Sequence, residues 1–248
     1  MVTVGSLFSG IGGIDLGLQR AGMEIKWQVE IDPYCRRVLE KQWPGVPKYG
    51  DIRAIDWSSV EPVDLIAGGF PCQPVSVAGR GRAQEDERWL WPDFARAVRM
   101  VRPEYVLVEN VPGLLGRGMG IVLGDLAELG YDTEWQSIPA AAVGAPHLRW
   151  RVWIVAYPCN GGQRQLLQPL GELGSGAEAN LGSNGEARAV ADYNRLGNGG
   201  GHWAAEPNVG RVAYGLPKRV DRIVGLGNAV VPQIVTWIGG RIMEAESW

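Results

Sequence analysis

Leu7-Phe8-Ser9-Gly10-Ile11-Gly12-Gly13 follows a short apolar run and opens a segment in which apolar residues recur at three- and four-residue spacing. A glycine-rich turn between a strand and a helix is typical of open parallel sheets, which bind nucleotide-like ligands at the carboxyl ends of their strands. Asp15 stands where a dinucleotide-binding loop has its third glycine, and its charge would repel a pyrophosphate. The loop therefore predicts a ligand without phosphate.

Short apolar runs and helical periods alternate through the first half of the chain, as expected for crossovers in a parallel sheet. Strands are predicted at Thr3–Phe8, Ile25–Val29, Val63–Ala67, Tyr105–Val108, Thr133–Ile138 and Arg151–Ala156. Helices are predicted at Gly12–Ala21, Pro33–Gln42, Trp91–Val101 and Ile121–Leu129, with a further helix after Pro232. The pattern favours an α/β fold with a mostly parallel, doubly wound sheet.

Composition narrows the class of protein. The 248 residues suit one main domain, and no apolar run is long enough to span a membrane. Three separated cysteines, Cys35, Cys72 and Cys159, and only two histidines argue against a disulfide framework and against a metal site. The net charge of −3 means that any binding to nucleic acid must come from a local basic surface. We expect a cytoplasmic protein that needs no membrane or metal.

The character of the chain changes after Cys159, where glycine, asparagine and alanine dominate and no helix or strand period persists. Such a stretch buries too little apolar surface to offset its ordering entropy. The predicted division is one domain formed by residues 1–157 and 224–248, with a small, irregular and partly flexible region at 158–223.

The loop Gly68-Gly69-Phe70-Pro71-Cys72-Gln73-Pro74-Val75-Ser76 carries one cysteine directly after a buried strand. An isolated cysteine is usually a core residue. Here the surrounding glycines and prolines indicate a rigid, irregular loop instead, and a strand end that leads into a helix offers amide donors that favour the reactive thiolate. Cys72 is therefore the candidate nucleophile.

Two acidic residues follow predicted strands. Glu30 ends the second strand about twenty residues after the glycine loop, the usual placement for a carboxylate that binds ribose hydroxyls. Asp51 could accept a hydrogen bond from an adenine amino group. Together with the glycine loop they favour an adenosine moiety that bears a positive group.

The order of motifs is distinctive: FSGIGG, Glu30, Asp51, PCQPVS, Glu109-Asn110-Val111, Arg149-Trp150-Arg151 and GNAVVPQ. In this order the chain closely resembles the DNA (cytosine-5) methyltransferase family over about residues 1–157 and 211–248. The resemblance implies a Rossmann-like fold that binds S-adenosylmethionine. In the family a cysteine adds to C6 of the target cytosine and an acid stabilises the ring at N3; Cys72 and Glu109 match these roles.

The resemblance also extends to a pair of arginines. Arg151 is expected to contact the cytosine O2, and Arg149 to hold the cysteine loop or nearby backbone. Because alternate residues of a strand point to one face, both guanidinium groups should lie on the same side of the sheet. His147 departs from the family, whose motif usually begins with glutamine, and this leaves its own role open.

The cofactor-binding residues are carried over from the resemblance, and the DNA contacts are inferred from the cysteine loop and the basic residues of this chain. The cofactor pocket is expected to be lined by Phe8, Gly10, Ile11, Gly13, Glu30, Ile31, Asp51, Ile52, Pro71, Leu90, Asn228 and Val230. DNA contacts are expected from Gln73, Ser76, Arg80, Arg82, Arg211, Lys218, Arg219 and Arg222, because the recognition region is short and glycine-rich. The implied partner is double-stranded DNA, from which the target base must be flipped, and a monomer is expected.

Three other functions are alternatives to this one. A tRNA-directed cytosine-5 methyltransferase uses the same core chemistry, although PCQPVS favours the DNA branch. A DNA-binding homologue that has lost turnover is disfavoured by the intact Cys72, Glu109 and Arg151. A nicotinamide-dependent dehydrogenase is disfavoured by Asp15 and by the lack of a matching catalytic set.

Overall fold

In the part of the chain that the structure describes, seven strands form one mixed sheet in the order β3-β2-β1-β4-β5-β7-β6. The computed structural model describes residues 1–71, 89–159, 166–167 and 229–246. The strands are β1 Thr3–Leu7, β2 Glu24–Val29, β3 Lys48–Tyr49, β4 Leu65–Gly68, β5 Tyr105–Asn110, β6 Tyr131–Pro139 and β7 Trp150–Pro158. β7 alone runs antiparallel to its neighbours β5 and β6, so the other six strands share one direction. The predicted α/β class with a mostly parallel sheet is confirmed.

Helices cover both faces of the sheet. They are α1 Gly13–Arg20, α2 Pro33–Gln42, α3 Trp91–Val101, α4 Leu114–Arg117, α5 Met119–Glu128 and α6 Pro232–Ala245. Side chains of α3, α4 and α5 belong to one apolar core, and those of α1, α2 and α6 to a second core on the opposite face. This two-sided burial is the reason that the central strands read as continuous apolar runs.

Most predicted elements are present with their ends moved by a few residues. The predicted strand Val63–Ala67 is observed as β4, two residues later at its start, and Phe8 lies beyond β1 with a φ of 51°. The prediction missed β3 and α4, which are too short to show a period. Among the described residues, no helix combines the length and the apolar character needed to cross a bilayer.

The last helix returns to the beginning of the chain. α6 packs against α1, and this close approach depends on glycine. A Cβ atom built on Gly17 would lie 2.4 Å from Val235 Cβ, and one on Gly239 would lie 2.7 Å from Ala21 Cβ. The packing brings the segment before α6 beside the glycine loop.

Of the predicted region 158–223, only Pro158, Cys159, Leu166 and Leu167 are among the described residues. Glu134 accepts hydrogen bonds from the backbone N–H groups of Leu166 and Leu167, both at 3.0 Å. Both leucine side chains are buried in the core that contains α6. The domain division itself stays a prediction.

Candidate active site

Four parallel strands end at the same edge of the sheet, and the predicted site residues follow them. Leu7 of β1 pairs with Val29 of β2 and with Gly68 of β4, and Gly68 pairs with Val108 of β5. The glycine loop, Glu30, the start of the cysteine loop and Glu109 therefore lie along one edge, as parallel strand order requires.

The glycine loop after β1 adopts left-handed backbone at three positions. Phe8, Gly10 and Gly12 have φ values of 51°, 55° and 85°. Gly12 cannot be replaced by a larger residue without movement, because its Cβ would lie 2.4 Å from the Trp43 ring. A Cβ on Gly10 would meet no atom within 4 Å, so the space above this residue is open. The loop thus exposes backbone to a ligand at Gly10.

Glu30 lies across this loop. Its carboxylate accepts hydrogen bonds from the N–H groups of Gly10 and Asp32, both at 2.7 Å. A carboxylate has about four acceptor positions, so two remain for hydroxyl groups of a ligand. The next side chain, Ile31, is 62% exposed, which is unusual for isoleucine at the end of a buried strand. An acceptor and an apolar surface therefore stand side by side.

Asp51 and Ile52 follow β3. Asp51 is the N-cap of a short 3-10 helix, and both of its oxygens accept hydrogen bonds from the Arg53 guanidinium, at 2.8 to 3.1 Å. These hydrogen bonds lower the pKa of the Asp51 carboxyl. Ile52 is buried in the core. Asp51 is thus already engaged by a cation, and it keeps fewer positions for a ligand amino group than Glu30 keeps for hydroxyls.

The segment before α6 packs against the glycine loop at Gly13. Val230 lies so close to Gly13 that a Cβ there would be 3.0 Å from Val230 Cγ2 and 3.2 Å from its carbonyl oxygen. Ile11, Leu90 and Val230 are half-buried, whereas Pro71 is exposed. Leu90 is the N-cap of α3, where its carbonyl accepts the Phe94 N–H. Asn228 lies outside the described residues.

Glu109 is the most perturbed acid of the site. It lies near the end of β5 with only 12% of its side chain exposed, and its Oε1 is 2.7 Å from Arg151 Nε. Burial raises its pKa to about 7, although Arg151 and Arg149 both act to lower it. Gly69 packs directly against the carboxyl, since a Cβ there would lie 2.6 Å from Glu109 Oε2. At neutral pH this group is therefore present in both its acidic and its ionised form.

Asn110 ties β5 to the start of the cysteine loop. Its Nδ2 donates to the Phe70 carbonyl at 3.1 Å, while its Oδ1 accepts the Val111 N–H at 2.9 Å. The Phe70 ring packs against Trp89, Trp91 and Phe94 at centroid distances of 5.2 to 6.4 Å. The chain is thus fixed two residues before Cys72, which itself lies outside the described residues.

The two arginines do not occupy the strand as predicted. Arg151 is the second residue of β7, but Arg149 precedes the strand and has a φ of 30°. The argument from strand alternation is therefore wrong for Arg149. Its Nη2 donates to the Ala229 carbonyl at 2.8 Å, and burial, followed by the neighbouring Arg151, lowers its pKa. Arg151 thus contacts Glu109 from the strand, whereas Arg149 comes near it from the residue just before the strand.

Residues 2–167 match the C-5 cytosine-specific DNA methylase family. The chain belongs to this family. It is 39% identical over 159 residues to the Type II methyltransferase M.NgoBI of Neisseria gonorrhoeae, a match that covers 62% of this chain and 50% of that protein. It is 38% identical over 160 residues to the Type II methyltransferase M2.BsuMI of Bacillus subtilis, covering 61% and 41%. The chain spans about half the length of these curated relatives.

A solved structure is similar as well. The crystal structure of a DNA modification methyltransferase encoded within an E. coli prophage aligns with a TM-score of 0.55 and 29% identity, over 64% of this chain and 47% of that chain.

Several of the predicted site residues lie outside the described ranges. Besides Cys72 and Asn228, they are the expected DNA-binding residues Gln73, Ser76, Arg80, Arg82, Arg211, Lys218, Arg219 and Arg222. No group of three or more His, Cys, Asp or Glu side chains that could hold a metal occurs in the part of the chain that the structure describes.

The sequence analysis does not identify the residues that position the backbone of the site or pack closely against its side chains. Gly69 and Asn110 stand in the quoted motifs, but neither was given a role in positioning. The sequence does contain a signal for each of them. A strand end requires neither a second glycine before Phe70 nor an amide side chain after Glu109. Ala229, whose carbonyl holds Arg149, carries no signal in its side chain.

Proposed function

We propose that this protein is an S-adenosylmethionine-dependent DNA (cytosine-5-)-methyltransferase that methylates C5 of a cytosine flipped out of double-stranded DNA. The observation that carries the proposal is Glu109, a buried carboxyl held between Arg151 and Gly69, next to the loop that leads to Cys72. Membership of the methylase family supports the same chemistry.

Cytosine C5 is a weak nucleophile, and the proposed role of Cys72 is to activate it. The thiolate adds to C6 and forms a C–S bond, which converts the ring into an enamine with a C4–C5 double bond. After C5 has gained a methyl group, a solvent base takes the C5 proton, and the electron pair of that C–H bond expels the Cys72 thiolate and restores the aromatic ring. The cysteine is regenerated and the atoms balance.

Glu109 is suited to assist this addition as an acid. Its raised pKa, about 7, leaves a proton on a substantial fraction of the carboxyl groups at neutral pH. Donation of that proton to cytosine N3 offsets the charge that the thiolate brings to the ring, and the proton returns to Glu109 when the cysteine leaves. Arg151 then stabilises the ionised carboxylate through the 2.7 Å contact.

The strand edge fits the adenosyl part of the cofactor. Glu30 retains acceptor positions for ribose hydroxyls, the exposed Ile31 offers an apolar face to a purine ring, and Gly10 leaves open space above the loop. When bound, S-adenosylmethionine would supply a methyl group on a positively charged sulfur, which leaves as a neutral thioether. Phe8, Ile11, Gly13 and Val230 would complete the pocket.

A base inside a duplex cannot present C5 and C6 to these groups, so the target cytosine has to leave the stack. The Type II designation of the curated relatives supports DNA as the substrate and a restriction-modification setting. Phosphate contacts are assigned to the basic residues of the cysteine loop and of 211–222. The cytoplasmic location and the monomeric state stay predictions.

Tritiated S-adenosylmethionine, mixed-sequence duplex DNA and tRNA test the reaction and the substrate together. We expect label in the duplex DNA alone. Label only in tRNA would move the protein to the tRNA-directed class, and binding of DNA without any transfer would favour a homologue that has lost turnover.

A pair of cysteine variants tests the covalent step. Cys72→Ala should abolish transfer while it leaves binding of S-adenosylhomocysteine near the wild-type value. Cys159→Ala is the matched control, because that thiol is exposed in the structure and should be dispensable. DNA containing 5-fluorocytosine should trap the wild-type protein as an adduct, since fluorine cannot leave C5 as a proton does. Full transfer by the Cys72 variant would refute the route.

A further inference from the structure

A buried polar network lies beneath the glycine loop and takes no part in the chemistry described above. Asp15, the third residue of α1, is completely buried, as are Ser6 of β1 and Gln28 of β2. Asp15 Oδ2 accepts from Ser6 Oγ at 3.0 Å, and Asp15 Oδ1 accepts from Gln28 Nε2 at 2.7 Å. Ser6 Oγ in turn contacts Ser9 Oγ at 2.8 Å. Side chains from two strands, the loop and a helix thus meet at one carboxyl.

The carboxyl sets the direction of this chain of hydrogen bonds. In its ionised form Asp15 only accepts hydrogen bonds, so in that form Ser6 donates its single hydroxyl proton to Asp15 and Ser9 is the donor to Ser6. The alternative acceptors for Ser9 are the carbonyls of Ser6 and Val29, at 3.2 and 3.4 Å. Burial raises the Asp15 pKa, against the hydrogen bonds from Gln28 and Ser6. A buried acid of this kind is costly unless its partners are all in place.

The buried network connects to the glycine loop through Ser9. Ser9 is the residue before Gly10, its N–H donates to the Val29 carbonyl at 3.1 Å, and its own carbonyl accepts the Gly12 N–H at 2.9 Å. Gln28 lies two residues before Glu30, whose carboxylate accepts the Gly10 N–H. The left-handed positions Phe8, Gly10 and Gly12 therefore lie between two anchors, a buried one at Asp15 and an open one at Glu30.

We infer that Asp15 is a positioning residue for the methyl donor: it holds the glycine loop in its ligand-binding shape before the ligand arrives. Preorganisation of this kind strengthens binding because the loop loses less freedom when the ligand binds. This inference rests on the proposed function for the identity of the ligand. The proposed role differs from the one that the sequence suggested for Asp15, which was to repel a phosphate. Asp15 is shielded by the loop and does not face a ligand.

Two substitutions of similar size separate positioning from bulk. In Asp15→Asn, Oδ1 can still accept from Gln28 while Nδ2 donates to Ser6, and the two serine hydroxyls reverse direction with Ser9 donating to a carbonyl. In Asp15→Leu no polar atom remains, and Gln28, whose Oε1 already finds no hydrogen-bond partner among the described residues, loses its remaining contact. We expect Asp15→Asn to bind S-adenosylhomocysteine within about threefold of wild type, and Asp15→Leu about tenfold or more weakly.

Leu126→Ala serves as the control for lost stability. Leu126 is completely buried in the core on the other face of the sheet, so its truncation should lower the melting temperature without changing the dissociation constant. Calorimetric titration with S-adenosylhomocysteine measures binding. Hydrogen exchange of the ligand-free proteins measures loop order, and we expect faster exchange across residues 7–13 in Asp15→Leu but not in Asp15→Asn or Leu126→Ala.

The possible failures can be told apart. A wild-type protein that does not bind S-adenosylhomocysteine would overturn the proposed cofactor, and exchange would still decide whether Asp15 orders the loop. Wild-type affinity together with unchanged exchange in Asp15→Leu would overturn the inference and leave the proposed function intact.

Discussion

Glu109 shows how burial can keep a carboxyl partly protonated near neutral pH. Water is largely excluded from it, which favours the neutral form, while Arg151 at 2.7 Å and the nearby Arg149 favour the ionised form. The two influences oppose each other, and burial is the larger. A small change in the surroundings of this residue should therefore shift the balance between its protonated and ionised forms near neutral pH.

The stability of the fold should record this shifted pKa. Glu109 has a pKa of about 7 in the folded chain against 4.5 ordinarily, so between these values the folded state holds more proton than the unfolded state. Stability should therefore fall as pH rises through this window, by up to about 3 kcal/mol relative to Glu109→Gln, which cannot titrate. Urea unfolding of both proteins from pH 4 to 8 measures the difference. Parallel curves would contradict the shifted pKa.

Gly69→Ala should damage activity more than stability. The added Cβ would lie 2.6 Å from Glu109 Oε2, the end of a flexible side chain, so the carboxyl can swing away at a folding cost of about 1 kcal/mol. Displaced from its place, it should no longer reach cytosine N3, and kcat should fall by about tenfold or more. Gly124→Ala, where a Cβ meets no atom within 4 Å, is the matched control. Equal kcat in the two variants would argue against this position for Glu109.

At the scale of elements, the site depends on how closely α6 approaches α1. Small residues on both helices allow the approach, and Thr236 Oγ1 reaches the Gly17 carbonyl at 3.2 Å. The segment before α6 is thereby placed against Gly13 and Arg149. Packing between two helices thus forms one wall of the candidate cofactor pocket.

Adjacent glycines of α6 provide a direct test of this packing. Gly239→Ala would place a Cβ 2.7 Å from Ala21 Cβ, whereas Gly240→Ala meets nothing within 4 Å. The first should destabilise the protein by about 1–3 kcal/mol through overpacking. The second should stabilise it by about 0.5–1 kcal/mol, because alanine is the better helix former. Thermal unfolding compares them, and effects of the same sign would mean that α6 does not pack on α1 as described.

The succession of strands and helices along the whole chain could be predicted, because hydrophobic period and glycine placement are local signals. The reversed direction of β7, the turn at Arg149 and the buried environment of Asp15 could not, because each is determined by contacts distant in sequence. Arg149 bonds to Ala229, and Asp15 to Ser6 and Gln28. The candidate chemistry was thus visible in short motifs, but the supports of those motifs were not.

DNA binding should depend on local charge rather than on the molecule as a whole, because the net charge is −3. Arg219→Ala should weaken binding to duplex DNA and reduce the slope of log K against log salt by about 0.9, the value for one lost phosphate contact. Arg20→Ala makes the same change of charge in the exposed last turn of α1, at the opposite edge of the sheet from the site, and should leave the slope unchanged. Fluorescence anisotropy at several salt concentrations gives both slopes. Equal slopes would remove Arg219 from the phosphate contacts.

The contacts of Ala229 with Arg149 and of Val230 with Gly13 also have a consequence for synthesis. The seven strands described above, together with Cys72 and Glu109, leave the ribosome well before these two residues do. A prematurely terminated polypeptide would therefore carry Cys72 and Glu109 but lack one side of the compartment for the methyl donor. Such a fragment should not methylate DNA, and activity should appear only after α6 has been synthesised.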